Sequence, residues 1–407
     1  MVSIWAAAPF VLLLIAIAVM PLLFSRWWGR YYPLAAALLA LPILLGYVFL
    51  AHDLGRVGLV LREYFSFICL IGSLYVIAGG IRLRVVGTPR PIFNVLFLFF
   101  GALAANIIGT TGASMLLIRS FLNVNRHRFA PYMVAFFIFV VANIGGALTP
   151  IGDPPLFLGY INGVPFFWVV GKVWYIWLAA LALVLGVFGW YDARNRAGRT
   201  GRVRRTIVHI QGRRNLLLLA IVLVAVFANS PVRELLMAVA AAASYFFARE
   251  GCHRRNQFSF RPIIEVAVLF AGIFVTMAPV LQLLDVNATR LGLKSAGDFF
   301  WMSGSLSGVL DNAPTYRTFL EVALGRYGNN IGTLLATHPE IVKAISLGAV
   351  FFGAMTYIGN GPNFMVKSIA EHRRLKVPSF FEYIYRYSLP VLLPVFVVVW
   401  LLLLVTH

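Results

Sequence analysis

Apolar runs long enough to cross a hydrocarbon core, roughly 20 residues each, recur from one end of this chain to the other, separated by short basic segments. Within a bilayer, backbone N–H and C=O groups find no water. Such runs must therefore fold as helices that satisfy their own hydrogen bonds. Composition supports the same solvent: 61% of the 407 residues are hydrophobic and only 12% are charged, where a soluble domain carries roughly 25%. On a soluble chain the formal charge of +20 would suggest nucleic acid. Here the basic residues sit between apolar runs, as the positive-inside bias predicts, and nucleic-acid binding is set aside. Cys69 and Cys252 have neither disulfide nor metal spacing. His52, His127, His209, His253, His338, His372 and His407 fall in loops or at the terminus and are expected to be solvated.

The pattern predicts an all-α membrane protein with ten spans, near 4–25, 33–51, 63–81, 131–160, 167–190, 215–229, 231–248, 263–283, 341–369 and 386–406. Whether 215–248 holds one span or two is open. No basic residue precedes the first run, while Arg26 and Arg30 follow it, so an uncleaved first span starting outside is expected. Segments 91–119 and 298–325 are interrupted by small and polar residues and are expected to be re-entrant hairpins. With both as hairpins, the loops 26–32, 82–90, 119–130, 191–214, 249–262 and 370–385 all face the cytoplasm and hold most of the arginines. Counting only one of them as a span would spoil that bias. The polar, basic segment 191–214 then links a first repeat, 1–190, to a second, 215–407. Each has five spans and one hairpin, an odd span number, so the second repeat is expected upside down relative to the first.

Sequence likeness between the halves supports duplication. GGALTPIGDPPLFL (145–158) matches FGAMTYIGNGPNFMV (352–366), pairing Thr149 with Thr356, Gly152 with Gly359 and Pro155 with Pro362. In the first block, Pro150, Gly152, Pro154 and Pro155 cannot continue a helix, because proline removes a donor and clashes with the preceding turn. Backbone freed in this way must line protein or a water-filled cavity. Gly359, Gly361 and Pro362 break the ninth span at the equivalent place. The hairpin tips, 106–114 and 305–315, carry Thr110, Thr111 and Ser114 in one half and Asp311, Asn312 and Thr315 in the other. Small residues let a tip approach a broken helix closely, and its helix ends and hydroxyl or amide oxygens suit an ion.

Among the acids, only Asp153 and Asp311 lie deep in apolar sequence. An ionisable residue there is a functional candidate by default. Burial favours the protonated form of a carboxylic acid, and a nearby cation favours the carboxylate. A buried aspartate can therefore hold H⁺ or a metal ion in competition. Asp153 and Asp311 are the expected shared site for Na⁺ and H⁺, with Asn143, Thr149, Asn312, Thr315, Asn360 and Asn363 as neutral oxygen donors. No cofactor is expected beyond the transported Na⁺ and H⁺.

NIGGALTPIGDPPLFLGYINGVPFFW (143–168), SGVLDNAPTY (307–316) and YIGNGPNFMVKSIAE (357–371) resemble signatures of bacterial sodium/proton antiporters in the ion transporter superfamily, a group related to citrate transporters. The resemblance covers about 60–407. It implies inverted repeats with re-entrant hairpins and unwound helices, secondary active transport in the bacterial inner membrane, and a homodimer. Dicarboxylate members carry a Ser-Asn-Thr triplet at both tips; this chain has Thr110-Thr111-Gly112 and Asp311-Asn312-Ala313. That difference favours Na⁺/H⁺ exchange over the alternative, a citrate or other carboxylate carrier coupled to Na⁺ or H⁺, for which Arg317 or Arg119 would be the anion partner. An intramembrane aspartyl protease would also use two acids sharing a proton. Pro150 stands where such an enzyme has the first glycine of Gly-x-Gly-Asp, so no enzymatic role is expected.

Overall fold

The computed structural model describes residues 3–86, 90–195, 207–247, 251–256, 258–328 and 330–405. Arg196, Arg199, Arg202, Arg204 and Arg205, the centre of the expected basic linker, lie outside them, as does Arg249. The described residues are overwhelmingly helical, and seven helices are long and apolar enough to cross a membrane, or eight if one bent pair counts as a span. The protein is thus an all-α membrane protein.

The chain begins with α1 (Ala8–Leu23) and α2 (Ser25–Leu45), separated by Phe24 alone. The loop expected at 26–32 is therefore helix: Arg26 and Arg30 sit in the first turns of α2, because the chain reverses at a single residue with φ −134° and ψ 50°. Helix α3 (Leu54–Gly79) follows, then the strand β1 (Arg82–Val86) and α4 (Pro91–Val124). Helix α4 is long enough to span, yet it doubles back. Gly109 adopts φ 74° and ψ 154°, a conformation open chiefly to glycine. Asn94 and Asn125, 31 residues apart, exchange side-chain hydrogen bonds of 2.9 and 3.0 Å; a continuous helix would hold them about 46 Å apart. Pro91–Val124 is thus two helical arms joined at Gly109.

Next come α5 (Tyr132–Val140), a non-helical stretch, α6 (Pro154–Ile161) and α7 (Trp168–Arg194). After β2 (Ile207–Gln211) the chain forms α8 (Arg213–Ala225), α9 (Val232–Phe247), α10 (Cys252–Arg255) and α11 (Arg261–Asn287). Residues 215–248 therefore form two helices. The second hairpin is α12 (Ala296–Val309) and α13 (Asn312–Tyr327), whose outer ends meet where the Tyr327 hydroxyl donates to Lys294 O at 2.9 Å. Helices α14 (Ile331–Thr337) and α15 (Pro339–Phe352), bent by 101°, precede a second non-helical stretch and α16 (Gly361–His372). The short α17 (Phe380–Tyr383) leads into α18 (Leu389–Val405). The spans expected at 131–160, 215–229, 231–248 and 341–369 are not single long helices. Two are interrupted by their own prolines and glycines, and the other two are helices of 13 and 16 residues.

Strands β1 and β2 pair antiparallel, Arg82 opposite Gln211 and Val86 opposite Ile207, in segments expected to be loops. Five-residue basic runs such as RLRVV carry too little periodicity to announce a strand. The ribbon holds the first hairpin, because the Ser120 hydroxyl donates to Leu83 O.

The core lies around α5 and α15. All nine residues of α5 are buried, as is α15 from Ile341 to Phe352, so neither shows an amphipathic face. In α2 only Trp28 and Ala36 are buried, leaving an apolar outer face.

One buried ion pair was not anticipated. Asp192, expected in a loop, is fully buried in the last turn of α7. It accepts from Arg128 Nη2 at 2.9 Å, the Tyr132 hydroxyl at 2.7 Å and Asn94 at 3.1 Å. This cluster joins the open end of the first hairpin to α5 and α7. Removing one member of a buried pair strands the other charge, which costs about 3–5 kcal/mol. Arg128→Ala should therefore unfold in detergent at a clearly lower temperature than wild type, whereas Arg126→Ala, at an exposed position, should not.

Candidate functional site

The two helix breaks are built alike. Gly152 and Gly359 pack so closely that an added Cβ would lie 2.2 Å from Gly146 O and 2.7 Å from Gly353 O, respectively. In the first break the Thr149 hydroxyl accepts the Gly152 N–H at 3.0 Å; in the second, the Thr356 hydroxyl accepts the Gly359 N–H at 3.1 Å. Each hydroxyl thereby satisfies backbone freed by the missing helix turn. Asp153 and Asn360 then occupy the N-cap positions of α6 and α16, both with extended backbone. These two equivalent residues, 207 apart in sequence, touch: Asn360 Nδ2 donates to Asp153 Oδ1 at 3.1 Å.

The first hairpin tip reaches the same point. Thr110 donates its N–H to Gly152 O at 2.7 Å and its hydroxyl to Asp153 Oδ1 at 2.7 Å. The second tip contributes Asn312, whose Nδ2 donates to Asp153 Oδ2 at 2.5 Å. Asp153 has no solvent-exposed surface, and three elements distant in sequence grip its carboxylate. Among the described residues no lysine, arginine or histidine forms an ion pair with it.

Asp311 sits at the start of α13, one residue before Asn312. Its side chain is half-buried and accepts the Ala313 N–H at 3.1 Å, capping α13, while its carbonyl accepts the Thr315 hydroxyl at 2.9 Å. Asp311 is thus the neighbour of the residue that meets Asp153. No direct bond joins the two carboxylates.

The other candidates divide into two groups. Asn143 and Asn363 lie in the buried network: Asn143 Nδ2 donates to Asn363 Oδ1 at 2.7 Å, and Asn143 Oδ1 accepts from Asn360 at 3.2 Å. Asn363 also donates to Gly353 O at 2.7 Å and Thr356 O at 2.8 Å, bracing the second break. Thr149, Thr315 and Asn363 thus serve the backbone rather than Asp153. Thr111 and Ser114 do not bond Asp153. Thr111 lines a cavity of about 20 Å³ with Leu70, Ile108, Thr110, Gly152 and Pro154, enough for one water. The Ser114 hydroxyl is buried without a partner, as is Asn312 Oδ1.

Asn106 belongs with these residues, although its sequence position at the first tip did not single it out. Its amide donates to Gly145 O at 2.6 Å, its Oδ1 accepts the Leu148 N–H at 3.0 Å, and its carbonyl accepts the Thr149 hydroxyl at 2.6 Å. A polar amide amid small and apolar residues deep in the hairpin arm was the available signal. Arg317, the expected anion partner, is engaged by Glu321 one turn along α13.

Comparison with known proteins adds a family. A family model described as "putative citrate transport" matches residues 1–404. An uncharacterized transporter of Mycobacterium bovis and one of Mycobacterium tuberculosis are each 26% identical to this chain over 388 residues, covering 86% of both proteins. With the match running nearly end to end over a helical fold of several apolar spans, this chain belongs to the putative citrate transport family and is a multi-pass membrane transporter.

Proposed function

We propose that the protein is a secondary active transporter exchanging Na⁺ for H⁺ across the bacterial inner membrane by alternating access, with Asp153 as the shared ion site. One observation carries this reading: the Asp153 carboxylate is fully buried, hydrogen-bonded on both oxygens by neutral groups, and without a basic partner among the described residues. A carboxylate in a dry interior must be neutralised. With no arginine or lysine to do so, a proton or a small cation takes the role, and one displaces the other. Asn312 Oδ1, left without a partner beside Asp153, is a further oxygen for the cation.

Two inverted repeats, 1–190 and 215–407, joined by 191–214, would supply the moving parts. The like-built breaks support that reading, as does the contact between the equivalent residues Asp153 and Asn360, because residues related by a twofold axis touch only on the axis. Sodium-driven acridine dequenching in proteoliposomes tests the proposal, with Li⁺ and K⁺ compared. Proton movement that responds to none of these ions would refute it.

A second reading is favoured by the family description: transport of citrate or another carboxylate, coupled to Na⁺ or H⁺. It needs donors for the anion, and the donors around Asp153 are already spent on its own carboxylate. Accumulation of labelled citrate, absent without a Na⁺ or H⁺ gradient, would replace exchange as the activity.

A further inference from the structure

Two elements that begin at Asp153 end together at a pair of arginines. The second arm of α4 starts at Thr110, and α16 starts just after Asn360; both of those residues bond Asp153. At their far ends, Arg373 Nη1 donates to Arg119 O at 3.2 Å and to Asn123 Oδ1 at 2.5 Å. Arg119 Nη1 is buried and has no hydrogen-bond partner. The Arg373 guanidinium, bonded to the Arg119 carbonyl, is close enough for the two charges to repel, and the Tyr75 hydroxyl is also nearby.

No carboxylate balances these two cations among the described residues. Glu371, the acid nearest in sequence, is taken by Lys367 Nζ at 2.9 Å. A buried donor without an acceptor is unfavourable, and so are two like charges held near one another. Both penalties vanish if an oxyanion sits between the guanidiniums, whose planar forks match phosphate geometry. The position is also right for a phosphate. Ser120, the next residue, bonds the β-ribbon, and Tyr75 donates to Ser259 O at 2.9 Å in the loop before α11, so the pair lies at the loop end of the molecule.

We propose that Arg119 and Arg373 form a binding site for a phosphate group, supplied by a bilayer headgroup or as free phosphate. Bound there, the anion joins α4 to α16 at the ends opposite the ion site. This does not depend on which ion or carboxylate is carried.

The test uses the full-length protein in phosphatidylcholine nanodiscs, titrated with inorganic phosphate against chloride at constant ionic strength. Phosphate should raise the unfolding temperature of wild type. Arg119→Gln and Arg373→Gln should weaken the apparent affinity at least about tenfold, the loss expected for a charge-assisted fork. Arg290→Gln, at an exposed residue elsewhere, should bind as wild type does. If the headgroup is the source, phosphatidylglycerol discs give the same rise without added phosphate; if free phosphate is the source, they do not. Phosphorus NMR line broadening of phosphate by wild-type protein reports binding without any variant. The proposal is overturned if neither phosphate nor phosphatidylglycerol raises the unfolding temperature and no broadening appears. It is equally overturned if the rise persists unchanged in both glutamine variants.

Discussion

Asp153→Asn should reduce Na⁺-driven proton movement in proteoliposomes to the level of empty vesicles while leaving the protein monodisperse. The substitution keeps the shape and the N-cap position at the start of α6, and an amide can still accept from the Thr110 hydroxyl. It removes the one charge that a proton or a sodium ion must neutralise. Asp311→Asn should behave differently. Asparagine caps a helix as well as aspartate does, and among the described residues the Asp311 carboxylate bonds its own helix start. Its charge still lies next to Asn312, so the expected result is exchange that persists with weakened Na⁺ dependence. Asp311→Ala should also lose the cap, at about 1 kcal/mol. Full exchange in Asp153→Asn would end the proposed mechanism; a complete loss in Asp311→Asn would restore the carboxylate pair that the sequence suggested.

Gly152→Ala should prevent accumulation of folded protein. The new methyl would sit 2.2 Å from Gly146 O and 3.0 Å from Asn106 Oδ1. The first contact is with backbone, which no rotamer change relieves, and overpacking of this kind costs about 3 kcal/mol. Gly359→Ala, 2.7 Å from Gly353 O and 2.8 Å from Ser307 O, should be damaging for the same reason. Gly171→Ala has open space within 4 Å and should express normally. Fluorescence-detected size-exclusion chromatography of the three variants separates these outcomes. Equal yields would show that the breaks tolerate more backbone movement than their close packing implies.

Several features were legible because they are local. Proline and glycine within a few residues of Asp153 break a helix whatever surrounds them. The GDPP and GNGP blocks therefore announced both breaks; the bonds by which Thr149 and Thr356 hold the backbone inside them were not announced, Thr149 having been expected as an oxygen donor to the ion. Small residues at 109–114 announced a reversal, and Gly109 makes it. Other features were not legible. Arg126 and Arg128 look alike in a basic segment, yet only Arg128 finds Asp192, because the partner is brought by the far end of α7. His253, expected to be solvated, is half-buried with its Nε2 3.1 Å from Val76 O, for a similar reason.

The chain's own residues determined that it must live in lipid, where its backbone must open and that Asp153 would lie at one opening, because hydrophobicity, proline geometry and glycine freedom act within a helix turn or two. Tertiary structure decided which groups hold that carboxylate. Thr110, Asn312 and Asn360 lie 43, 159 and 207 residues away. The choice of Asn312 over its neighbour Asp311 turns on where α13 begins: the Asp311 carboxylate accepts the Ala313 N–H and caps α13, while Asn312, one position on, faces the core.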